Sequence, residues 1–322
     1  MRARRLSGTP VFEQNGPVIG RFAPSPTGPL HVGNLRTALI TWLSARAAGG
    51  EMLVRIEDLD RANSSLANER AQLGDLGRLG LLHPPAVIRQ SERFDLYRSV
   101  IDDLRGRGLV YACYCSRREI RDAVAAPHGE LPEGAYPGIC RELNESERRR
   151  REGEGRRPAW RLRTDGETYR VHDVVAGPTS TRVDDFVLQR NDGIPAYNLA
   201  VVVDDAAQGV TQVVRGDDLL IGTGRQIHLQ RLLGLPTPEY AHVPLVVGPD
   251  GERLAKRHGA VTLDDLGSIG VTAAEVLREL ASSIGIDQPD VRTAADLIDH
   301  FDWTRVPRSA WMIPSNWQRA TT

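Results

Sequence analysis

The sequence predicts a doubly wound α/β fold on a parallel sheet, interrupted by an inserted subdomain and followed by a small helical region. Three observations carry this. From Val18 to Ala112, short apolar runs alternate with longer segments of helical period, the pattern of strands joined by crossover helices. A loop holding Gly28 and Gly33 follows the first apolar run, and carboxylates follow the second. Polar residues therefore gather where the strands of an open parallel sheet end, which is where ligands bind. The alternation then fails near Tyr111, and all three cysteines fall between there and Trp160. The outline is a Rossmann-like domain with an insertion. Its expected parts are a disordered tail at 1–17, a first catalytic half at 18–110 and an insertion at 111–190. A second half at 191–247 and a loop with C-terminal helices at 248–322 complete it.

Taken in order, Val18 to Ala23 reads as a buried strand stopped by Pro24 and Pro26. Leu35 to Ala47 has helical apolar period. Strand, glycine loop and helix start form an anion cradle, with open main-chain N–H groups and the positive dipole end facing one point. Met52 to Ile56 is a second strand, ending in Arg55-Ile-Glu57-Asp58-Leu-Asp60. Ser65 to Leu79 and Phe94 to Gly106 read as helices, with a strand at Ala86 to Arg89 and another beginning at Leu109. Glu145 to Arg157, with the run Arg148 to Arg151, reads as a solvated helix face or loop, or as a contact for an RNA backbone. Strands are expected at Trp160 to Arg163, Tyr169 to Val175 and Phe186 to Gln189, with a turn at Asn191-Asp-Gly193. A helix from Pro195 and a strand at Gly209 to Val214 lead to the polar loop Arg215-Gly-Asp217-Asp218. Helices at Gly224 to Leu233, Ala273 to Ser283 and Ala294 to Phe301 follow, with an extended stretch at Tyr240 to Val247. Trp311 and Trp317 are expected to anchor the C-terminal helices in the core.

Composition narrows the class. The 322 residues hold 41 Lys and Arg against 42 Asp and Glu, a net charge of -1, so a nucleic-acid partner must meet a local patch. No apolar run reaches the length of a membrane span, and Arg2, Arg4 and Arg5 precede no apolar stretch of a secretory signal. Three cysteines give no disulfide framework. A cytoplasmic protein without an obligate protein partner is expected. Of the basic residues, 40 are Arg and only Lys256 is Lys. A compact ammonium on a flexible stem can follow a phosphate as its charge moves, which a planar guanidinium does less well.

The string Arg21-Phe-Ala-Pro-Ser-Pro-Thr-Gly-Pro-Leu-His31-Val-Gly-Asn34 resembles the His-Ile-Gly-His region of class I aminoacyl-tRNA synthetases, in its glutamyl form. Arg55-Ile-Glu57-Asp58 and Tyr197-Asn-Leu-Ala-Val-Val-Val-Asp204-Asp205 are similar to two further strings of that group. Arg253-Leu-Ala-Lys256-Arg257 stands where class I enzymes carry Lys-Met-Ser-Lys-Ser, with Ala255 in place of a Ser and Arg253 in place of the first Lys. Cys113-x-Cys115 followed by Tyr136-x-x-x-Cys140 resembles the shorter glutamyl-queuosine tRNA(Asp) synthetases. The resemblance covers roughly Ile19 to Ser282.

It implies activation of L-glutamate by ATP to glutamyl-adenylate without tRNA, then transfer to the queuosine base in the anticodon of tRNA(Asp). His31 and Lys256 would be catalytic. Arg21, Phe22, Ala23, Pro24, Ser25, Glu57, Tyr197 and Arg215 would hold glutamate, with Arg215 on the γ-carboxylate and Glu57 near the α-amino group. Gly28, His31, Gly33, Asn34 and Lys256 would hold ATP with its Mg²⁺. Val201 stands where full-length glutamyl enzymes usually have Asn, which implies weaker or differently arranged glutamate binding. Three thiols so spaced suit a tetrahedral structural Zn²⁺. Ligand chemistry alone nominates His128 as the fourth ligand, and the resemblance implies Tyr136. The rivals are a short enzyme charging a tRNA 3′ end, disfavoured by the lack of room for an anticodon-binding region, and an inactive synthetase-like binding module.

Overall fold

The computed structural model describes residues 16–82, 87–124, 135–248, 251 and 261–317. Strand β1 (Ile19–Phe22) runs into helix α1 (Val32–Ala47), which returns to β2 (Glu51–Ile56). Helix α2 (Leu66–Arg78), with Ser65 as its N-cap, leads to the short β3 (Ile88–Arg89). These strands pair in parallel in the order β1-β2-β3. Helix α3 (Phe94–Gly106) ends this half, and β4 (Val110–Cys113) begins the insertion.

The insertion contains two exposed helices, α4 (Arg117–Val124) and α5 (Glu145–Gly153). Ion pairs Arg149–Glu145 and Arg150–Glu154, each four residues apart, neutralise part of the arginine run within α5 itself. Then come β5 (Ala159–Leu162), β6 (Thr168–Asp173), β7 (Gly177–Arg182) and β8 (Val187–Gln189). β4, β5 and β8 make an antiparallel sheet of their own. The turn at Asn191-Asp-Gly193 closes a hairpin-like return, with Arg190 N donating to Ile194 O and Gly193 at φ 86°.

Helix α6 (Tyr197–Ala207) and β9 (Gln212–Gly216) restore the main domain, followed by α7 (Thr223–Leu232), β10 (Glu239–Val243) and the short β11 (Val246–Val247). The second sheet has the order β7-β6-β10-β9, parallel except for the β6–β7 hairpin. The two sheets meet where Thr211 N donates to Ile19 O and Thr211 Oγ1 accepts from Ile19 N, each at 2.9 Å. The chain order across the molecule is thus 3-2-1-9-10-6-7, which reverses between β1 and β9. Strand β6 and the residues of β7, both within the stretch expected as the insertion at 111–190, extend the main sheet instead.

Helices α8 (Leu263–Ser268) and α9 (Ala273–Ser282) and strand β12 (Trp311–Met312) close the molecule, β12 pairing in parallel with β11. The segment Ala294–His300 is helical but wound as a 3₁₀-helix. Leu277, Leu280, Leu297 and Trp317 share one core with Leu35, Leu39 and Leu43 of α1. Helix α1 is consequently buried almost all round, sheet on one side and C-terminal helices on the other. Trp317 is buried and meets Trp311 edge-on, so both serve the core as expected.

Candidate active site

The reversal between β1 and β9 opens a cavity of about 840 Å³ at the carboxyl ends of the strands. Its walls include Arg21, Phe22, Ala23, Pro24, Ser25, Gly28, His31, Gly33, Asn34, Glu57, Tyr197 and Arg215, twelve residues expected from sequence to act together. Lys256, with Arg253 and Ala255, lies outside the described residues. Val201 is buried in α6 and does not line the cavity. Asp58 accepts from the N–H and hydroxyl of Ser91, tying the loop after β2 to the segment after β3, and Asp60 accepts from Asn63 Nδ2 across a local turn.

His31 caps α1. Its Nδ1 accepts from Gly33 N at 3.0 Å and Asn34 N at 3.4 Å, while Asn34 Oδ1 accepts from His31 N. With Nδ1 an acceptor, the neutral ring carries its proton on Nε2. A Cβ on Gly33 would stand 2.9 Å from this ring, so the cap requires glycine there. The first helical amides are not open, which corrects the expected cradle: Val32 N bonds Val261 O, and those of Gly33 and Asn34 bond His31. Gln72 pins the preceding loop by donating to Ser25 O and Gly28 O.

Arg215, at the end of β9, is 5% exposed. Its Nε donates to His242 Nε2 at 2.9 Å, Nη1 to Gln226 Oε1 at 2.8 Å, and Nη2 to Thr223 Oγ1 at 2.8 Å. Nη1 also reaches Tyr197 Oη at 3.5 Å. Every one of these partners is neutral. Among the described residues no carboxylate oxygen lies within 4.0 Å of this guanidinium. Desolvating a cation is costly unless a counter-charge compensates it. A buried cation on a cavity wall, bonded only to neutral groups, suits an anionic ligand.

A charged and paired cluster adjoins the cavity, reaching its lining through Arg21 and Glu57. Arg55 is fully buried, its Nη1 donating to Asp205 at 2.7 Å and to Gln208 at 2.8 Å, its Nη2 to Glu57 at 3.3 Å. Arg21 reaches Asp205 at 3.3 Å and Val214 O at 3.2 Å. Burial alone would raise Asp205, but Arg55 and Arg21 outweigh it and hold the carboxyl below its usual range. Glu57 differs: burial pushes its pKa up despite Arg55 and Arg21. An ammonium arriving beside Glu57 would favour its charged form.

A second cluster lies in the insertion. The Sγ atoms of Cys113, Cys115 and Cys140 all lie within 4.8 Å of one another. Tyr136 Oη stands among them, 3.3 Å from Cys113 Sγ and 3.7 Å from Cys115 Sγ, and accepts from Cys140 N at 2.8 Å. Tetrahedral ligands on Zn²⁺ have sulfur–sulfur edges of about 3.8 Å, so these residues fit that ion. Hydrogen bonds from Cys115 and Cys140 hold the Cys113 thiol well below its ordinary pKa, and Arg161, stacked 3.8 Å over the Tyr136 ring, adds positive potential. His128 lies outside the described residues.

With this geometry in hand, likeness to known proteins decides the family. The chain matches the family described as tRNA synthetases class I (E and Q), catalytic domain, over residues 17–316. It is 52% identical over 297 residues to a glutamyl-Q tRNA(Asp) synthetase of Nocardia farcinica, covering 92% of this chain and 93% of that one. The chain belongs to the glutamyl-Q tRNA(Asp) synthetase family. A second glutamyl-Q tRNA(Asp) synthetase, from Symbiobacterium thermophilum, is 47% identical over 92% of this chain and 96% of its own. Membership makes the protein a ligase-family enzyme with a class I synthetase domain. The fold agrees with a crystal structure of a glutamate tRNA ligase from Elizabethkingia meningosepticum in complex with its amino acid. That match has a TM-score of 0.78 and 26% identity, over 94% of this chain and 68% of that one. No helix among the described residues is long and apolar enough to cross a membrane.

Sequence reasoning assigned no role to four buried groups that stand behind the cavity lining and hold Arg21, Glu57 or Arg215: Arg55, Asp205, His242 and Asp173. Arg55 and Asp205 stood inside strings already recognised, so a pairing of their charges was within reach. Nothing local marks Asp173 and His242.

Proposed function

We propose that this enzyme uses ATP to convert L-glutamate to glutamyl-adenylate without tRNA, then passes the glutamyl group to the queuosine base in the anticodon of tRNA(Asp). The observation that carries this reading is the Arg215 guanidinium, buried on the cavity wall with only neutral partners. A planar fork suits the γ-carboxylate of glutamate. Glu57 takes the α-amino group, and Arg21 and Tyr197 complete the wall. In the first step a glutamate α-carboxylate oxygen attacks the α-phosphorus in line, and the bond from that phosphorus to pyrophosphate breaks. In the second, the acyl bond to AMP breaks as the queuosine base takes the glutamyl group.

The chemistry asks for positioning and charge stabilisation, with no protein nucleophile. His31, donating from Nε2, and Lys256 hold the phosphates, and Mg²⁺ bound with ATP supplies charge neutralisation. Cys113, Cys115, Cys140 and Tyr136 hold one structural Zn²⁺, and the enzyme works in the cytoplasm.

Glutamate-dependent ATP–pyrophosphate exchange, run with and without tRNA, tests the reading. Exchange in tRNA-free reactions, with labelled glutamate passing only to tRNA(Asp) that carries queuosine, is expected. Exchange that needs tRNA would favour charging of a 3′ end, and none at all would favour an inactive binding module.

A further inference from the structure

We infer that Asp173 and His242 form a positioning relay that fixes the direction of the Arg215 fork, and so sets the affinity of the pocket for a side-chain carboxylate. The inference rests on the reading of Arg215 as the carboxylate partner. His242 on β10 stands opposite Arg215 on β9 in the parallel register. Its Nε2 accepts the Arg215 Nε–H at 2.9 Å, which it does only while that nitrogen carries no proton. Its Nδ1 stands 2.6 Å from Asp173 Oδ2, so the single proton of the neutral ring lies on Nδ1 and is donated to the carboxylate. Asp173 in turn cannot rotate. Its Oδ1 accepts from the amides of Val175, Ala176 and His242 at 3.0, 2.8 and 3.0 Å. Both residues are buried, so water does not substitute for either partner.

The relay acts on direction. An arginine has five N–H donors in a rigid fork. Here Nε is committed to His242, one donor of Nη1 to Gln226 and one of Nη2 to Thr223. What remains is a hydrogen on Nη2 and the Nη1 donor near Tyr197, held at the 3.5 Å limit. These donors sit on the two neighbouring terminal nitrogens, the spacing a carboxylate takes in a bidentate pair. The residues come from three elements far apart in sequence: Asp173 from β6, Arg215 from β9 and His242 from β10.

Asp173→Asn tests this. The amide oxygen keeps the bonds to the three amides, and the amide nitrogen becomes a donor facing His242 Nδ1. The ring then moves its proton to Nε2, where it opposes the Arg215 Nε–H, as happens when the aspartate of a catalytic triad becomes asparagine. Nitrogen-15 NMR of His242 in the full chain reads the tautomer directly. We expect Nε2 unprotonated in the parent and protonated in the variant. The KM for glutamate in pyrophosphate exchange should rise about 30-fold or more, with the KM for ATP changed less than about three-fold. His242→Gln, whose side-chain oxygen takes the place of Nε2, should stay within about ten-fold of the parent. His242→Asn, which keeps the bond to Asp173 and removes the acceptor, should lose as much as Asp173→Asn. If Asp173→Asn does not fold, the two His242 variants decide between relay and mere packing. Equal behaviour of those two variants, or an Nε2-protonated parent ring, overturns the relay. A parent that activates no glutamate overturns the functional reading alone, since the tautomer is still measured.

Discussion

Two buried arginines, Arg215 on the cavity wall and Arg55 behind the lining residue Glu57, have opposite surroundings. Arg55 is fully buried and meets Asp205, Glu57 and Asp204 at 2.7, 3.3 and 3.9 Å. Arg215 is almost as buried and meets only neutral groups. Burial opposes the charge of Arg55, but the three carboxylates win and push its pKa up, so it is a fixed cation of the framework. The charge of Arg215 has no carboxylate partner among the described residues, which is what the proposed glutamate side chain would supply. Burial of an arginine is thus not diagnostic of function; the identity of its partners, together with what it faces, is. Arg36 shows why both criteria are needed. It too bonds only neutral groups, Ser283 Oγ, Ser283 O and Pro244 O, and burial lowers its pKa to about 10. It clamps α1 to the loops after β10 and α9, and it does not line the cavity.

The largest expected effect breaks the comparison at Arg215. Arg215→Leu should reduce glutamate-dependent exchange at least about 1,000-fold, because the substrate carboxylate would then enter a dry site unpaired. It should cost less stability than the loss of Arg55, since the fold loses hydrogen bonds to neutral groups but no charge partner. Arg55→Leu should do the reverse in kind. Removing one member of a buried ionic cluster leaves its carboxylates uncompensated, a loss of about 3–5 kcal/mol of stability by denaturant titration. If the two variants had interchangeable profiles of activity and stability, the distinction would fail.

Much of this was legible because the pocket is built from strand ends, where a motif is short and local. β1, α1, β2 and α3 lay close to their expected positions, and twelve expected residues share one cavity. The strand β7 was not foreseen. Gly177-Pro-Thr-Ser-Thr-Arg182 carries no apolar alternation, and it is a strand because β6 pairs with it along its length. The placing of β6 beside β10 escaped notice for a related reason: sheet order is set by long-range pairing that no local pattern encodes. Asp173 and His242 are 69 residues apart and meet only through that pairing. His31 was read as a phosphate ligand, while its additional service as helix cap depends on a ring rotamer.

The cysteine cluster repeats the comparison with the sign reversed. Three thiols and a phenol converge beside the Arg161 guanidinium, and a bound metal cation would hold the thiols ionised. One zinc per chain is expected by metal analysis of protein purified without chelator. Tyr136→Phe should weaken retention about 10–100-fold in competition with a chelator. Full retention in that variant, with loss in His128→Ala, would move the fourth ligand to His128.

The smallest effect is also the most direct reading of the Arg215 charge. His242 has its pKa lowered below 6.5, first by burial and then by the charge of Arg215, against the raising effect of Asp173. Around its ring stand Asp173 from β6, Arg215 from β9, Arg21 from β1 and Tyr240 of its own strand. As pH falls below 6.5 the unfolded chain binds a proton at this histidine before the native chain does, so stability falls on acidification and rises with pH across that window. Asp205 and Asp173, both depressed, act lower, where their stabilisation is lost as pH drops through their native values. Glu57, raised, works in the opposite direction above its unfolded value. Arg215→Leu removes the cation facing His242 and lets the ring protonate more readily in the native state. Thermal midpoints taken between about pH 5 and 7 should therefore fall less steeply with acid in the variant than in the parent. Parallel curves would mean that the charge of Arg215 is already neutralised by a group near the cavity, and its contrast with Arg55 would be lost.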